Sequence, residues 1–314
     1  MVSAPENAVV VGVGPDGSES AVAFAVAEAR RTSRPVHLVH VPQVPASEAY
    51  AGMYGDTLDA AKAVLTHALG RTEELAAGDE PVPVTSELVD NGWLVDDLVR
   101  CTGLHRLLVM QHRGLRSLHR LFTGSVVQAV AGRARGPVLS VPQGWTEERR
   151  GVVTAAVQDA TEAPTLLNWA FSEARARQAR VDVLHAWWLA NGYDSWTVDG
   201  SFRAEQATRA REQLDPVLTP LREEFADVPV TVTVMHARPA DAVLDAAERS
   251  DLLVLGRRHH LLPLGSHLGP IVRAALKQST APVMVTPEPG VSTDEPVARS
   301  VDLVNATELT IAGG

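Results

Sequence analysis

One spacing governs this chain of 314 residues: features recur 145 positions apart across most of its length. Phe24-Ala25 is answered by Trp169-Ala170, and Glu28-Ala29-Arg30 by Glu173-Ala174-Arg175. The same spacing links Val36-His37-Leu38-Val39-His40 to Val181-Asp182-Val183-Leu184-His185, and Leu107-Leu108-Val109 to Leu252-Leu253-Val254. It returns at Gly124 with Gly269 and at Pro137-Val138 with Pro282-Val283. Chance does not hold one spacing through helix, strand and loop features alike, so the chain is a duplication. Its length, about twice a common domain, agrees. The halves are assigned to residues 1–143 and 148–287, joined by a short link over about Gln143–Arg150. Residues 288–314 form an acidic tail without clear period, expected to be disordered.

Within each half, short apolar runs alternate with helical periodicity. In the first half the runs are Ala8–Val13, Val36–Val41, Val82–Val89, Arg106–Met110 and Val138–Val141. Helical spacing covers about Ser18–Arg31, Thr57–Leu75, Leu94–Cys101 and Ser125–Gly132. The second half repeats the strands near Val152–Val157, Val181–Ala186, Val230–Met235, Leu252–Leu255 and Val283–Thr286. Nearly all-apolar strands separated by helices predict an α/β fold, a parallel sheet in each half covered on both faces. The two fifth strands are expected to pair within the chain as a pseudo-dimer, since their apolar edges would otherwise be bare.

Bulk properties narrow the function. A net charge of −10 without a basic face argues against nucleic acid as a partner. No apolar run approaches the length that spans a bilayer, and the start lacks a signal-peptide pattern, so the expectation is a cytoplasmic protein without membrane association. Cys101 is the single cysteine; it excludes an internal disulfide and reads as a small buried hydrophobe. Lys62 and Lys277 are the only lysines, neither in a phosphate-binding loop, and no G-x-x-x-x-G-K-[ST] occurs, which rules out a Walker-type NTPase.

In an open parallel sheet, ligands bind beyond the carboxyl ends of strands where the strand order reverses. The turns at that point are glycine-rich here. After the first strand comes Gly12-Val13-Gly14-Pro15-Asp16-Gly17-Ser18, where Asp16 or Ser18 is placed to cap the next helix. After the fourth comes Gln111-His112-Arg113-Gly114, nine residues, then Gly124-Ser125, and Ser125 with Gln128 has the form of a capping box. A helix start behind glycine offers N–H groups to phosphate. Glycine turns alone also occur in α/β proteins that bind nothing there; two converging on one crevice make binding an even proposition.

At these residues the chain resembles the universal stress protein family. Gln111-x2-Gly114-x9-Gly124-Ser125 is similar to the family's glycine loop with its first glycine replaced, and Gly256-x2-His259-x9-Gly269-Pro270 with the second glycine and the serine replaced. Asn91-Gly92-Trp93-Leu94 and Ala237-Arg238-Pro239-Ala240 are similar to its turn before the third helix. The likeness spans about residues 6–287. It implies two Rossmann-like domains, each a five-stranded parallel sheet in the order 3-2-1-4-5, and in one branch ATP held at the crevice. Carried onto this chain, the nucleotide positions are Gly14 with Asp16 nearby, Val41, Gly114, Gly124, Ser125 and Val126. It also implies binding with slow turnover at most, and dimerisation through the last strand.

The second half departs further from that pattern. Gln158 stands where the aspartate of the family would be, His259 puts bulk where phosphates need backbone, and Pro270 removes an N–H and the hydroxyl together. A lost charge-assisted bond costs about 1.5–3 kcal/mol, tenfold or more in affinity. Gln158, Gly256, His259, Gly269 and Pro270 are therefore expected to form a degenerate second site. His40 and His185 end equivalent strands and are expected to be hydrogen-bonded structural residues. His259, His260 and His267 match no tight zinc spacing, so no metal is expected, and Trp187-Trp188 is read mainly as core. His112, Arg113, Arg116, His119 and Arg120 make a basic loop that suits a phosphate or simply a solvated surface. No Ser-His-Asp order or paired-carboxylate motif stands out, and no enzymatic reaction is expected. Three functions stay open: an adenine-nucleotide regulatory module, a scaffold without nucleotide, and, lowest, an ATP pyrophosphatase-like enzyme.

Overall fold

In the computed structural model, residues 4–5, 7–43, 53–89, 93–103, 107–112, 124–189, 198–257 and 268–287 are described. The first half runs β1 (Val9–Val13), α1 (Glu19–Thr32), β2 (Val36–His40), α2 (Met53–Ala76) and β3 (Val84–Leu88). It continues with α3 (Leu94–Arg100), β4 (Leu107–His112), α4 (Gly124–Arg133) and β5 (Val138–Pro142). The second half runs β6 (Val152–Ala156), α5 (Ala163–Arg177), β7 (Arg180–Trp187), α6 (Gly200–Glu224) and β8 (Val230–His236). It ends with α7 (Pro239–Ala247), β9 (Leu252–Gly256), α8 (Pro270–Gln278) and β10 (Val283–Thr286).

The ten strands form one sheet in the order β3-β2-β1-β4-β5-β10-β9-β6-β7-β8. Within each half the order is 3-2-1-4-5 and every pairing is parallel; only β5 with β10 is antiparallel. The fifth strands thus meet edge to edge inside one chain, and each closes an edge the other would leave bare. Their register sets Leu139 opposite Met284, flanked by Val138 opposite Val285 and Ser140 opposite Val283.

Strand residues alternate between two cores because successive side chains point to opposite faces. Val9, Val11 and Val13 join Ala21, Phe24 and Ala25 of α1 on one face; Ala8 and Val10 join Leu98 of α3 and Val130 of α4 on the other. Each core runs unbroken through both halves, with α1, α2, α5 and α6 on one side and α3, α4, α7 and α8 on the other. Duplication extends to the helix ends. Ser33 and Gln178, 145 apart, both adopt left-handed backbone (φ 53 and 52), and the next residues, Arg34 and Ala179, donate back to Ala29 and Ala174. The turns close both helices in Schellman fashion without glycine.

One feature breaks the spacing. Val9 pairs with Val36 and Leu107, while Val153 pairs with Val181 and Leu252, so β1 and β6 are related by 144 positions rather than 145. The second half therefore carries one extra residue in the turn between its first strand and first helix, at the mouth of the crevice.

Several boundaries shift from the sequence expectations. β3 starts at Val84, because Pro81 and Pro83 withhold ladder donors; β4 extends through His112, and β7 from Arg180 to Trp187. α4 opens at Gly124 rather than at Ser125, and Gln128 Nε2 donates not to a local cap but to the backbone oxygen of Arg273 in the other half, at 3.5 Å. The link holds a left-handed Gly144 (φ 81) whose N–H donates to Ser20 Oγ.

Candidate functional site

β1 lies between β2 and β4, so the sheet's order reverses at the carboxyl ends of β1 and β4 in the first half, and of β6 and β9 in the second. Each reversal opens a crevice flanked by the first and last helices of that half.

In the first half Gly14 is buried at the end of β1, and its N–H donates to Ser18 Oγ at 2.9 Å. Gly17 (φ 81) and Ser18 (φ 53) are both left-handed, which folds the turn tightly over the strand end. Neither Asp16 nor Ser18 caps α1, contrary to the expectation. The cap comes from β4: Gln111 Oε1 accepts from Ser20 N at 2.8 Å, while Gln111 Nε2 reaches Asp16 Oδ2 at 3.4 Å. One side chain therefore ties the two loops of the crevice together. Val41 is buried just past β2, the neighbour of β1, and α4 opens at Gly124 so that Ser125 and Val126 sit in its first turn. Gly14 and Asp16 follow β1, and Gly124, Ser125 and Val126 open the helix after β4, at the same strand reversal; Gly114 lies outside the described residues.

In the second half the corresponding residues line a solvent-open cavity of about 90 Å³. Gln158, Gly256, Gly269 and Pro270 all border it; His259 lies outside the described residues. Gly269 is the N-cap of α8 with Pro270 next, where proline's missing N–H costs the helix nothing but is unavailable to a ligand. A Cβ on Gly256 would come within 3.2 Å of Leu166 Cδ1, so a larger residue here would need that side chain of α5 to shift by a few tenths of an ångström. Asp159 turns back on its own loop, accepting from Thr161 N and Oγ1 at 2.9 Å each; these bonds hold its carboxyl below the ordinary value.

The two strand-two histidines behave alike. His40 Nδ1 meets the Val13 carbonyl at 2.8 Å, and His185 Nδ1 the Val157 carbonyl at 3.1 Å, each tying the second strand to the turn after the first. Both are structural, as expected. The tryptophan pair corrects its expectation. Trp187 packs on Phe202 and His236, but Trp188 is 39% exposed, stacked on His236 with the Arg238 guanidinium 5.5 Å from its ring. Both rings pack on His236 at the end of β8, and Trp188, one residue past β7, is left with a face to solvent.

Next to the crevices the structure corrects one expectation and adds a residue: His112, expected in a basic loop, lies inside β4, and Arg257 was not singled out. His112, immediately after Gln111, is buried, with Nδ1 2.8 Å from Ser140 Oγ and a hydrogen bond to the backbone of Ser279 in the other half. Burial pushes its pKa down to about 4, so the ring is neutral at neutral pH. Its counterpart, Arg257, is buried beside the second cavity and donates Nη1 to the Gly132 carbonyl in the last turn of α4, at 3.3 Å. Each half thus sends the residue at the end of its fourth strand to a helix end of the other half. The 145 spacing of His112 and Arg257 was the available signal.

Among the described residues no group of three or more His, Cys, Asp and Glu is placed to hold a metal ion, and no helix is long and apolar enough to cross a membrane.

A parallel α/β sheet that reverses its strand order once in each half, with a cavity at the second reversal and the halves joined through their fifth strands, defines a tandem protein of the Rossmann-like class. The model of the universal stress protein family matches residues 7–142 and again 150–287, and the chain belongs to that family. A universal stress protein of Mycolicibacterium smegmatis (strain ATCC 700084 / mc(2)155) is 26% identical over 292 residues, covering 90% of this chain and 98% of its own. One from Mycobacterium tuberculosis (strain ATCC 25618 / H37Rv) is 25% identical over 309 residues, with 90% and 96% covered. Among solved structures, a universal stress protein from Archaeoglobus fulgidus DSM 4304 superposes with a TM-score of 0.62 at 14% identity, covering 91% of this chain and 99% of that one; it bears on the fold.

Proposed function

We propose that the chain is a stress-response regulatory module that binds ATP or a related adenine nucleotide, mainly in its first half. The observation that carries this is a difference between the two last helices. α4 opens with Gly124-Ser125-Val126, which keeps its first-turn N–H groups, whereas α8 opens with Gly269-Pro270 and has lost one. A helix start with N–H groups facing the turn after β1 is what a phosphate needs, and Val41 supplies an apolar wall for a base. The role we read for this crevice is binding rather than turnover. The lone cysteine agrees with a reducing cytoplasm, and association between chains adds to the pairing within one.

The test is mass spectrometry of nucleotide that co-purifies, followed by titration calorimetry with ATP. Gly124→Val should abolish binding by placing a side chain against the phosphates, while Pro270→Ser should leave it unchanged. The Gln111 bridge favours a second function, an interaction module without nucleotide, because that side chain spans the space between the two loops. No binding at millimolar ATP would leave this second function standing; rapid hydrolysis would overturn both.

A further inference from the structure

The second-half crevice has a lining unlike that of a polyphosphate site. Its walls are aliphatic: Val157, Leu166, Leu184, Val243, Leu255 and Val272 enclose the inner end. Arg257 is the one cationic residue among the described lining and is 8% exposed, beside the start of α8. One N–H of its guanidinium donates to the Gly132 carbonyl. The lining acids, Asp159 and Glu162, are both exposed, so they stand at the mouth.

This distribution selects a ligand by charge. A triphosphate would lack the N–H that Pro270 removes, would meet hydrocarbon where its ribose hydroxyls need partners, and would carry several negative charges past two carboxylates. A compact single anion with an apolar body needs neither the lost N–H nor hydroxyl partners, and carries only one charge past the two carboxylates. Its head takes a charge-assisted bond from Arg257, and its body displaces water from the aliphatic walls. The volume sets the scale. A cavity of roughly 150 Å³ accommodates benzene, so about 90 Å³ takes the greater part of a short acyl chain, with the remainder in the open mouth.

We propose that the second-half crevice is a binding site for short-chain aliphatic monocarboxylates, with Arg257 as the carboxylate anchor. This goes beyond the nucleotide function of the first half and stands independently of it. The two halves of the duplication would then sense different chemistry through one continuous sheet.

The experiment uses the full chain and hexanoate, with hexanol as the neutral ligand of the same length and ATP as competitor, all by calorimetry. One hexanoate per chain is expected, at least tenfold tighter than hexanol. Ala186→Trp, which fills the cavity from the end of β7, should abolish hexanoate binding with the melting temperature otherwise preserved. Arg257→Gln should erase the preference for hexanoate over hexanol. The hexanoate–hexanol comparison needs no variant, so it decides the matter even if a substituted chain folds poorly. Failure of hexanoate to bind at 10 mM, equal binding of hexanol, or displacement of hexanoate by ATP at one-to-one competition would overturn the proposal. ATP binding that survives Ala186→Trp but not Gly124→Val is the separate readout for the first half. Should ATP bind nowhere while hexanoate binds, the nucleotide function falls and this one remains.

Discussion

Glu28 and Glu173, counterparts 145 positions apart, share one guanidinium: Arg177 donates Nη2 to Glu28 Oε2 at 2.6 Å and Nη1 to Glu173. The two carboxylates face each other where α1 meets α5, across the same pseudo-twofold that pairs Leu139 with Met284. In a symmetric dimer of one half, two like charges would be buried together. The duplication has resolved this asymmetrically: Arg177 stands where the first half has Thr32, and Arg31, whose counterpart is Ala176, binds Glu28 at 2.6 Å and Glu147 of the link at 3.1 Å. Both cations bind Glu28, and Arg177 reaches it across the seam.

Removing Arg177 should therefore be costly, and in a pH-dependent way. Arg177→Met would strand the buried Glu173 carboxylate and leave Glu28 to Arg31 alone, at about 3–5 kcal/mol for a broken buried ion pair. Burial raises the Glu173 carboxyl above its usual range, with Arg177 opposing and Glu28 adding to the rise. A raised carboxyl favours folding more as pH falls, since the folded chain takes up its proton first. Thermal melts of Arg177→Met should show a deficit that is largest near pH 7.5 and shrinks towards pH 5. A deficit constant across that span would mean that the buried charges are not its source.

His112 has the opposite sign. Its pKa is lowered from 6.5 to about 4 by burial, so the folded chain binds its proton less readily than the unfolded chain does. Stability is intact above pH 6.5 and is lost as pH falls towards 4, by roughly 3 kcal/mol in total. His112→Gln should flatten that acid limb, as followed by denaturant unfolding at a series of pH values. An unchanged slope would assign the acid loss to the carboxylates.

Much of this architecture is legible in the sequence because duplication states it twice. Alternation of apolar strands with helices gives the sheet in each half, and the shared 145 spacing brings the fifth strands together. What periodicity does not show is where long polar side chains go. Gln111 reads as a glycine substitute offering its backbone, yet its side chain caps α1 and bridges to Asp16. Ser125-x-x-Gln128 has the letters of a capping box, yet Gln128 is spent across the seam on Arg273. Trp188 looks like core beside Trp187, but it lies past the end of β7 and packs on the outer His236 ring, with part of its surface exposed. In each case a long-range partner outcompetes the local pattern.

Gln111 yields a gain-of-function prediction. Gln111→Gly restores the glycine of the family pattern, removes the bridge to Asp16, and releases the Ser20 N–H at the start of α1. Freed donor and space should tighten ATP binding in the first half by roughly tenfold, the worth of one charge-assisted bond, at the expense of about 1 kcal/mol of stability from the lost cap. Calorimetry and melting curves on the same preparation separate the two effects. Weaker binding would show that Gln111 is itself part of the ligand's cradle.

The seam between β5 and β10 should make the two halves unfold as one. Leu139 and Met284 are fully buried and directly opposed, and each core continues from one half into the other. Leu139→Ala removes buried methyl groups from both halves at once and should cost about 2–5 kcal/mol. Because neither half has a bare edge it can keep in water, losing the seam exposes both fifth strands together. Scanning calorimetry of the native chain should give a single transition, with Leu139→Ala lowering its midpoint and the transition staying single. Two resolved transitions in the native chain, with only the first half's shifted by the substitution, would show that the halves are stable apart and that the continuous sheet couples them weakly.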